Sequence, residues 1–182
     1  MSTTELIAII LVVAVAGLAV WMYTNRRRAH LKAHFGPEYD HLVQETGSPR
    51  RAESLLASRQ ARVERYDIHP LTPEQQSRFA GAWQRVQALF VDDPAAAIVD
   101  ADMLVTDLMQ TRGYPMADFD RRAEDLSVDH PHVVRNYRAA HAIALRHADG
   151  GVSTEELRQG LVHYRALFED LLEAREPERR RA

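Results

Sequence analysis

Apolar residues are distributed along this chain in two different ways. From Leu6 to Tyr23 they form an uninterrupted run, LIAIILVVAVAGLAVWMY, which carries no charge and is closed by Thr24, Asn25 and the triplet Arg26-Arg27-Arg28. Eighteen such residues at a rise of about 1.5 Å span about 27 Å as a helix, close to the hydrocarbon thickness of a bilayer. Beyond Gly36 the apolar residues recur instead every three or four positions, the signature of amphipathic helices. The first pattern predicts a membrane span and the second a water-facing helical domain.

The amphipathic part divides at its breakers. The first helix is expected to continue through His34 and stop at Phe35-Gly36-Pro37. Pro37–Thr46 reads as a short helix ended by Gly47, and Ser48-Pro49 opens another that runs to about Tyr66. Its apolar stripe (Ala52, Leu55, Leu56, Val63, Tyr66) is narrow and has Arg59 in the middle, as in a cover or stalk helix. Thr72-Pro73-Glu74-Gln75 combines an N-cap, a first-turn proline and a capping-box partner. The helix after it places Phe79, Ala82, Trp83, Val86, Leu89 and Phe90 on one face. Asp92-Asp93-Pro94 starts a helix with Ile98, Ala101, Leu104, Val105, Leu108 and Met109 inward, ended by Gly113. Ala117–Leu126 reads as a short helix in an acidic connection. Asp129-His130-Pro131 opens a helix with Val134, Tyr137, His141, Ala144 and Leu145 inward. After Gly150-Gly151, Ser153 and Glu156 form a second capping box, and the last helix buries Leu157, Leu161, Tyr164, Phe168, Leu171 and Leu172.

These elements predict an all-α protein: a single N-terminal transmembrane helix followed by an antiparallel helix bundle. The expected divisions are an anchor with its basic flank (1–34), a connecting helix and stalk (35–67), a four-helix soluble domain (68–174) and a charged tail (175–182). A cleaved signal peptide is the competing reading of the start, since Ala14-Val15-Ala16 precedes Gly17. However, no Lys or Arg precedes the run, and the run continues six residues past Gly17. Arg26, Arg27, Arg28 and Lys32 lie on one side of the run only. By the positive-inside rule this places the N-terminus outside and the soluble domain in the cytoplasm, at a bacterial inner membrane.

Charge and composition exclude several classes. The net charge of −3, from 23 basic and 26 acidic residues, argues against a nucleic-acid partner, which selects a clearly basic surface. The absence of cysteine removes disulfides, thiol nucleophiles and cysteine metal sites. One lysine against 22 arginines fits a GC-rich bacterial genome.

The segments Phe35-Gly36-Pro37-Glu38-Tyr39-Asp40, Leu71-Thr72-Pro73-Glu74, Phe90-Val91-Asp92-Asp93-Pro94, Arg112-Gly113-Tyr114-Pro115, Ser127-Val128-Asp129-His130-Pro131 and Tyr164-Arg165-Ala166-Leu167-Phe168 occur in that order, with Trp83, Val86 and Gln87 among them. Together they resemble an uncharacterised family of short bacterial proteins that pair an N-terminal hydrophobic segment with a helical domain. The resemblance covers Phe35 to Leu172 and implies no activity.

No catalytic, cofactor-binding or metal-ligating residue is selected by the sequence. His141, in the middle of an apolar stripe, is the one position where a buried titratable group is expected; a core histidine bonded to a carboxylate or carbonyl is the favoured reading over a ligand or acid–base residue. His30 and His34 lie one turn apart without a third ligand. His130 and His132 flank a helix-start proline and are expected to be exposed. Asp92, Asp93 and Asp129 are read as caps, and Asp100 and Asp107 as residues away from the core. The His147–Glu156 segment imitates the second half of a calcium loop but has Leu145 and His147 where hard oxygen ligands belong. The expected function is therefore a membrane-tethered interaction or scaffold module, its partners the lipid bilayer and a protein or a second copy of itself. The alternative is a membrane-anchored small-ligand sensor or enzyme with a pocket among Trp83, Tyr137, His141 and Tyr164.

Overall fold

The computed structural model describes residues 3–148 and 150–173, with side chains from residue 11 onward. Among the described residues all regular structure is helical, in eight helices: α1 (Thr3–Phe35), α2 (Pro37–Thr46), α3 (Pro49–Val63), α4 (Pro73–Asp92), α5 (Pro94–Thr111), α6 (Phe119–Asp129), α7 (Val134–Ala148) and α8 (Thr154–Glu173). The chain forms two compact units, Met1–Leu56 and Ala57–Ala182, and α3 runs through the boundary. The expected tail, 175–182, lies outside the described residues.

In the first unit, Gly36 adopts a left-handed φ of 45°, which ends α1, and Pro37 opens α2 at once. Gly47, at φ 65°, closes α2 and donates its N–H to the Val43 carbonyl. Leu31, Phe35, Tyr39 and Leu42 are buried. Arg28 pairs with Glu53 at 2.8 Å, and Tyr39 donates to the same carboxylate at 3.2 Å. Lys32 reaches Asp40 at 3.3 Å. The expected span Leu6–Tyr23 begins at residues whose side chains lie outside the description. Among the described residues no helix is long and apolar enough to cross a membrane. From residue 11 to residue 30 every side chain of α1 is exposed, so the helix shows apolar residues on all its faces: Val12 at 66%, Val13 at 65%, Val20 at 63% and Trp21 at 62%.

In the second unit α4, α5, α7 and α8 form the bundle. α5 packs on both α4 and α8, α8 packs on α7, and the short α6 lies against α7. The helix starts follow the sequence closely. Thr72 and Gln75 exchange both capping-box bonds (3.2 and 2.8 Å), Asp93 caps α5 through Ala96 N–H at 3.0 Å, and Ser153 and Glu156 form the second box. Trp83 stacks on Phe168 with ring centroids 4.8 Å apart, joining α4 to α8. Gly160 lets three helices approach: a Cβ there would stand 3.0 Å from Ile98 Cδ1 of α5 and 3.1 Å from Ile143 Cγ2 of α7.

Four expectations are corrected. α3 ends at Val63 rather than Tyr66, because residues 64–66 leave the helix in tight turns that carry the Tyr66 hydroxyl to Asp125. α6 is Phe119–Asp129 rather than Ala117–Leu126, since Asp118 accepts from Arg121 N–H and fixes the start there. α7 starts at Val134, after a turn through His130, and not at Pro131. Its buried face is also rotated: Ala140 and Ile143 are buried, His141 is at the edge and Leu145 is 57% exposed. The close approach at Gly160 draws Ile143 to the α8 side and turns Leu145 outward.

Gly113 links the end of α5 to the segment that precedes α4. It sits at φ 94°, and a Cβ would lie 2.2 Å from the Asp67 carbonyl oxygen. Left-handed strain and overpacking act together at this position, so Gly113→Ala should lower unfolding free energy by about 2–4 kcal/mol, read by chemical unfolding monitored through helical ellipticity.

Candidate functional site

Three clusters of buried polar side chains lie in the second unit, and the chemistry of each follows from how completely its groups are paired. The first joins the C-terminal part of α3 to α6. Arg59, only 6% exposed, directs Nη2 to Glu124 Oε1 and Nη1 to Ser127 Oγ, each at 3.4 Å. Arg62 is held more tightly: Nε donates to Asp125 Oδ1 at 2.7 Å and Nη2 to Glu124 Oε2 at 2.9 Å. Tyr66 donates to Asp125 Oδ2 at 3.0 Å. Burial lowers the Arg62 pKa, but Asp125 and Glu124 outweigh it and the net shift is upward. The charge in the middle of the α3 stripe therefore docks this part of the helix onto the acidic connection. With its carboxylates committed to arginines, the cluster is structural.

The second cluster surrounds Arg112, which the sequence presents only as the residue before a helix-ending glycine. It is 1% exposed. Its guanidinium donates to the Leu171 carbonyl in the last turn of α8 at 2.9 Å and to the His69 carbonyl at 3.4 Å. Burial lowers its pKa, against the opposing influence of Tyr114, Asp129 and Asp170; a guanidinium remains charged regardless. Asp170 accepts from two histidines, His130 Nδ1 and His132 Nε2, the latter at 2.9 Å. Burial pushes the Asp170 carboxyl up, but both histidines outweigh it and hold it below its usual range. His130 is thus buried, contrary to the expected exposure of both histidines. Asp129 does not start α7; it ends α6 and accepts from the Tyr114 hydroxyl at 3.0 Å.

The third cluster contains His141. Its ring lies flat on Phe119 (centroids 3.6 Å apart, planes at 9°), and Phe119 also touches Tyr137 at 4.7 Å. Tyr164, fully buried, donates to Asp102 Oδ1 at 2.8 Å; burial first, then the Asp102 charge, pushes its hydroxyl far above the usual range. Three buried polar atoms here have no hydrogen-bond partner: Tyr137 Oη, Arg122 Nε and His141 Nδ1. Thr106 and Arg122 lie near enough to Tyr137 Oη to favour its ionised form, yet neither reaches hydrogen-bonding geometry, and burial raises the hydroxyl overall. Burial lowers the His141 pKa, Arg122 adding to this and Asp102 and Asp120 opposing it. The structure therefore brings Tyr137 and His141 together on Phe119, whereas Trp83 packs against Phe168. Asp102 and Arg122 were not legible as part of this group, because each sits among other charged residues on a helix flank.

Elsewhere, His34 meets Phe35 edge-on. Among the described residues no group of three or more His, Asp or Glu side chains is placed to hold a metal ion. The calcium-loop imitation includes Asp149, which lies outside the described residues. Among the described residues, one surface hollow of about 630 Å³ lies between α4 and α5, and another of about 340 Å³ lies between Pro73–Ala80 and Leu172. Neither is lined by His141. Comparison with protein families, with characterised proteins and with solved structures finds no match to this chain.

The pairing difference between the two buried tyrosines is measurable. Tyr137→Phe removes a hydroxyl that has no partner and should change stability by less than about 1 kcal/mol, whereas Tyr164→Phe strips Asp102 of its donor and should cost about 1–3 kcal/mol. Parallel chemical unfolding of the two variants checks this.

Proposed function

We propose that this protein is a membrane-tethered helical interaction module, anchored by its N-terminal helix at a bacterial inner membrane with the N-terminus outside and the helical domain in the cytoplasm. The observation that carries the reading is the all-round apolar exposure of α1 from residue 11 through Tyr23, continuous with the uncharged sequence from Leu6. A helix apolar on every side is stable in water only when something apolar covers it, and a bilayer does so without a stripe. Arg26, Arg27 and Arg28 follow directly, with Trp21 and Tyr23 at the level where interfacial aromatics are favoured. The commitment of two buried polar clusters to structural pairing supports an interaction role over catalysis.

A second reading, a small-ligand sensor or enzyme centred on His141, is favoured by one observation: the three unpartnered atoms Tyr137 Oη, Arg122 Nε and His141 Nδ1. The face-to-face packing of His141 on Phe119 favours the closed core and the interaction module. A buried water bridging the three atoms would satisfy them.

The anchor is tested by extraction. The chain should sediment with membranes, resist carbonate and retain its N-terminus by intact-mass analysis. A soluble mature form beginning near Gly17 would contradict it.

A further inference from the structure

The surface of α4 and α5 that faces away from the bundle holds a shallow groove of about 630 Å³. Its floor is apolar (Ala82, Val86, Leu89, Leu104), and Met103, 64% exposed, stands at its edge. Its rims carry opposite charges. Arg85 stands on the α4 side, and Asp100 and Asp107, two turns apart, on the α5 side. All three are exposed, and among the described residues none of them has an ion-pair partner in its own chain.

We propose that this groove is the face by which two copies of the chain pair. The inference rests on the interaction-module reading and names its partner. A two-fold interface uses the same patch on both molecules, so the patch must complement itself. A two-fold axis running along the groove lays the α4 rim of each copy over the α5 rim of the other. Arg85 of each copy then faces the partner's aspartate rim, the apolar floors face each other across the axis, and each Met103 lies over the partner's α4 rim. A uniformly basic partner would satisfy the aspartates and repel Arg85, while a uniformly acidic one would do the reverse. Only a surface with both signs in this register matches, and a second copy provides it.

The test uses the full chain in a mild detergent at micromolar concentration, with sedimentation equilibrium reading the protein mass. The unaltered chain should give twice the 20.7 kDa of one copy. Arg85→Glu places three acidic side chains around the groove and should return the mass to one copy. Adding Asp100→Arg and Asp107→Arg to Arg85→Glu restores opposite rims with reversed sign and should restore the doubled mass. All three positions are exposed, so folding should be unaffected, and matching helical ellipticity verifies it. A single-copy mass for the unaltered chain, a doubled mass indifferent to Arg85→Glu, or no recovery in the triple variant would each overturn the proposal. Membrane retention, measured separately by carbonate extraction, is not altered by these substitutions. A single-copy mass for the unaltered chain with retention intact refutes this face alone, and loss of retention in the unaltered chain refutes the anchor.

Discussion

A guanidinium with almost no access to water must have its donors satisfied by protein, and in the second unit that requirement falls on Arg112. Its partners come from two distant points of the chain: the His69 carbonyl just before α4 and the Leu171 carbonyl in the last turn of α8. The carbonyls at a helix C-terminus are the ones left without intrahelical donors, and they carry the negative end of the helix dipole. A buried cation there serves both as cap and as counter-charge. Around it, Gly113 allows backbone contact with Asp67, and His69 N–H returns to the Arg112 carbonyl at 3.0 Å. Asp170, one residue before Leu171, is held by His130 and His132. The entry to α4, the exit of α5, the α6–α7 turn and the end of α8 are thereby fixed at one point. Removing the guanidinium would leave the Leu171 and His69 carbonyls without this donor, the former in a buried setting.

Much of the architecture was legible because it depends on local rules. Helix starts at Thr72, Asp93 and Ser153 follow from side chains that accept N–H bonds three residues on, and the ends at Gly36 and Gly47 follow from left-handed φ values. The α4 and α5 faces were largely readable from spacing, although Ala82, Leu89 and Leu104 prove to line an outward groove rather than the core. What could not be read depends on contacts distant in sequence. Nothing local distinguishes Arg112 from any arginine at a helix end, nor Asp102 from Asp100. Ile143 is buried rather than Leu145 because Gly160, seventeen residues on, admits it. That Arg59 needs a partner was legible, since it is a charge inside an apolar stripe; which carboxylate it takes was not. The stronger Arg62–Asp125 pair lies off the stripe and was not.

The same contrast organises the functional reading. Inside the second unit two polar clusters are closed on themselves, which leaves the group around His141, the surface and α1 as the parts of the chain with unmet physical requirements. The apolar faces of α1 call for an apolar medium, and the groove between α4 and α5 presents apolar floor and unpaired charge together.

The central claim, an anchored domain facing the cytoplasm, is tested most directly by cysteine accessibility, for which the cysteine-free chain is well suited. Val162, 52% exposed on α8, is replaced by cysteine and challenged with a membrane-impermeant maleimide in intact spheroplasts and again after lysis. The account predicts protection before lysis and full labelling afterwards, with the labelled chain in the membrane pellet. Labelling of intact spheroplasts, or recovery of the labelled chain in the soluble fraction, would contradict it.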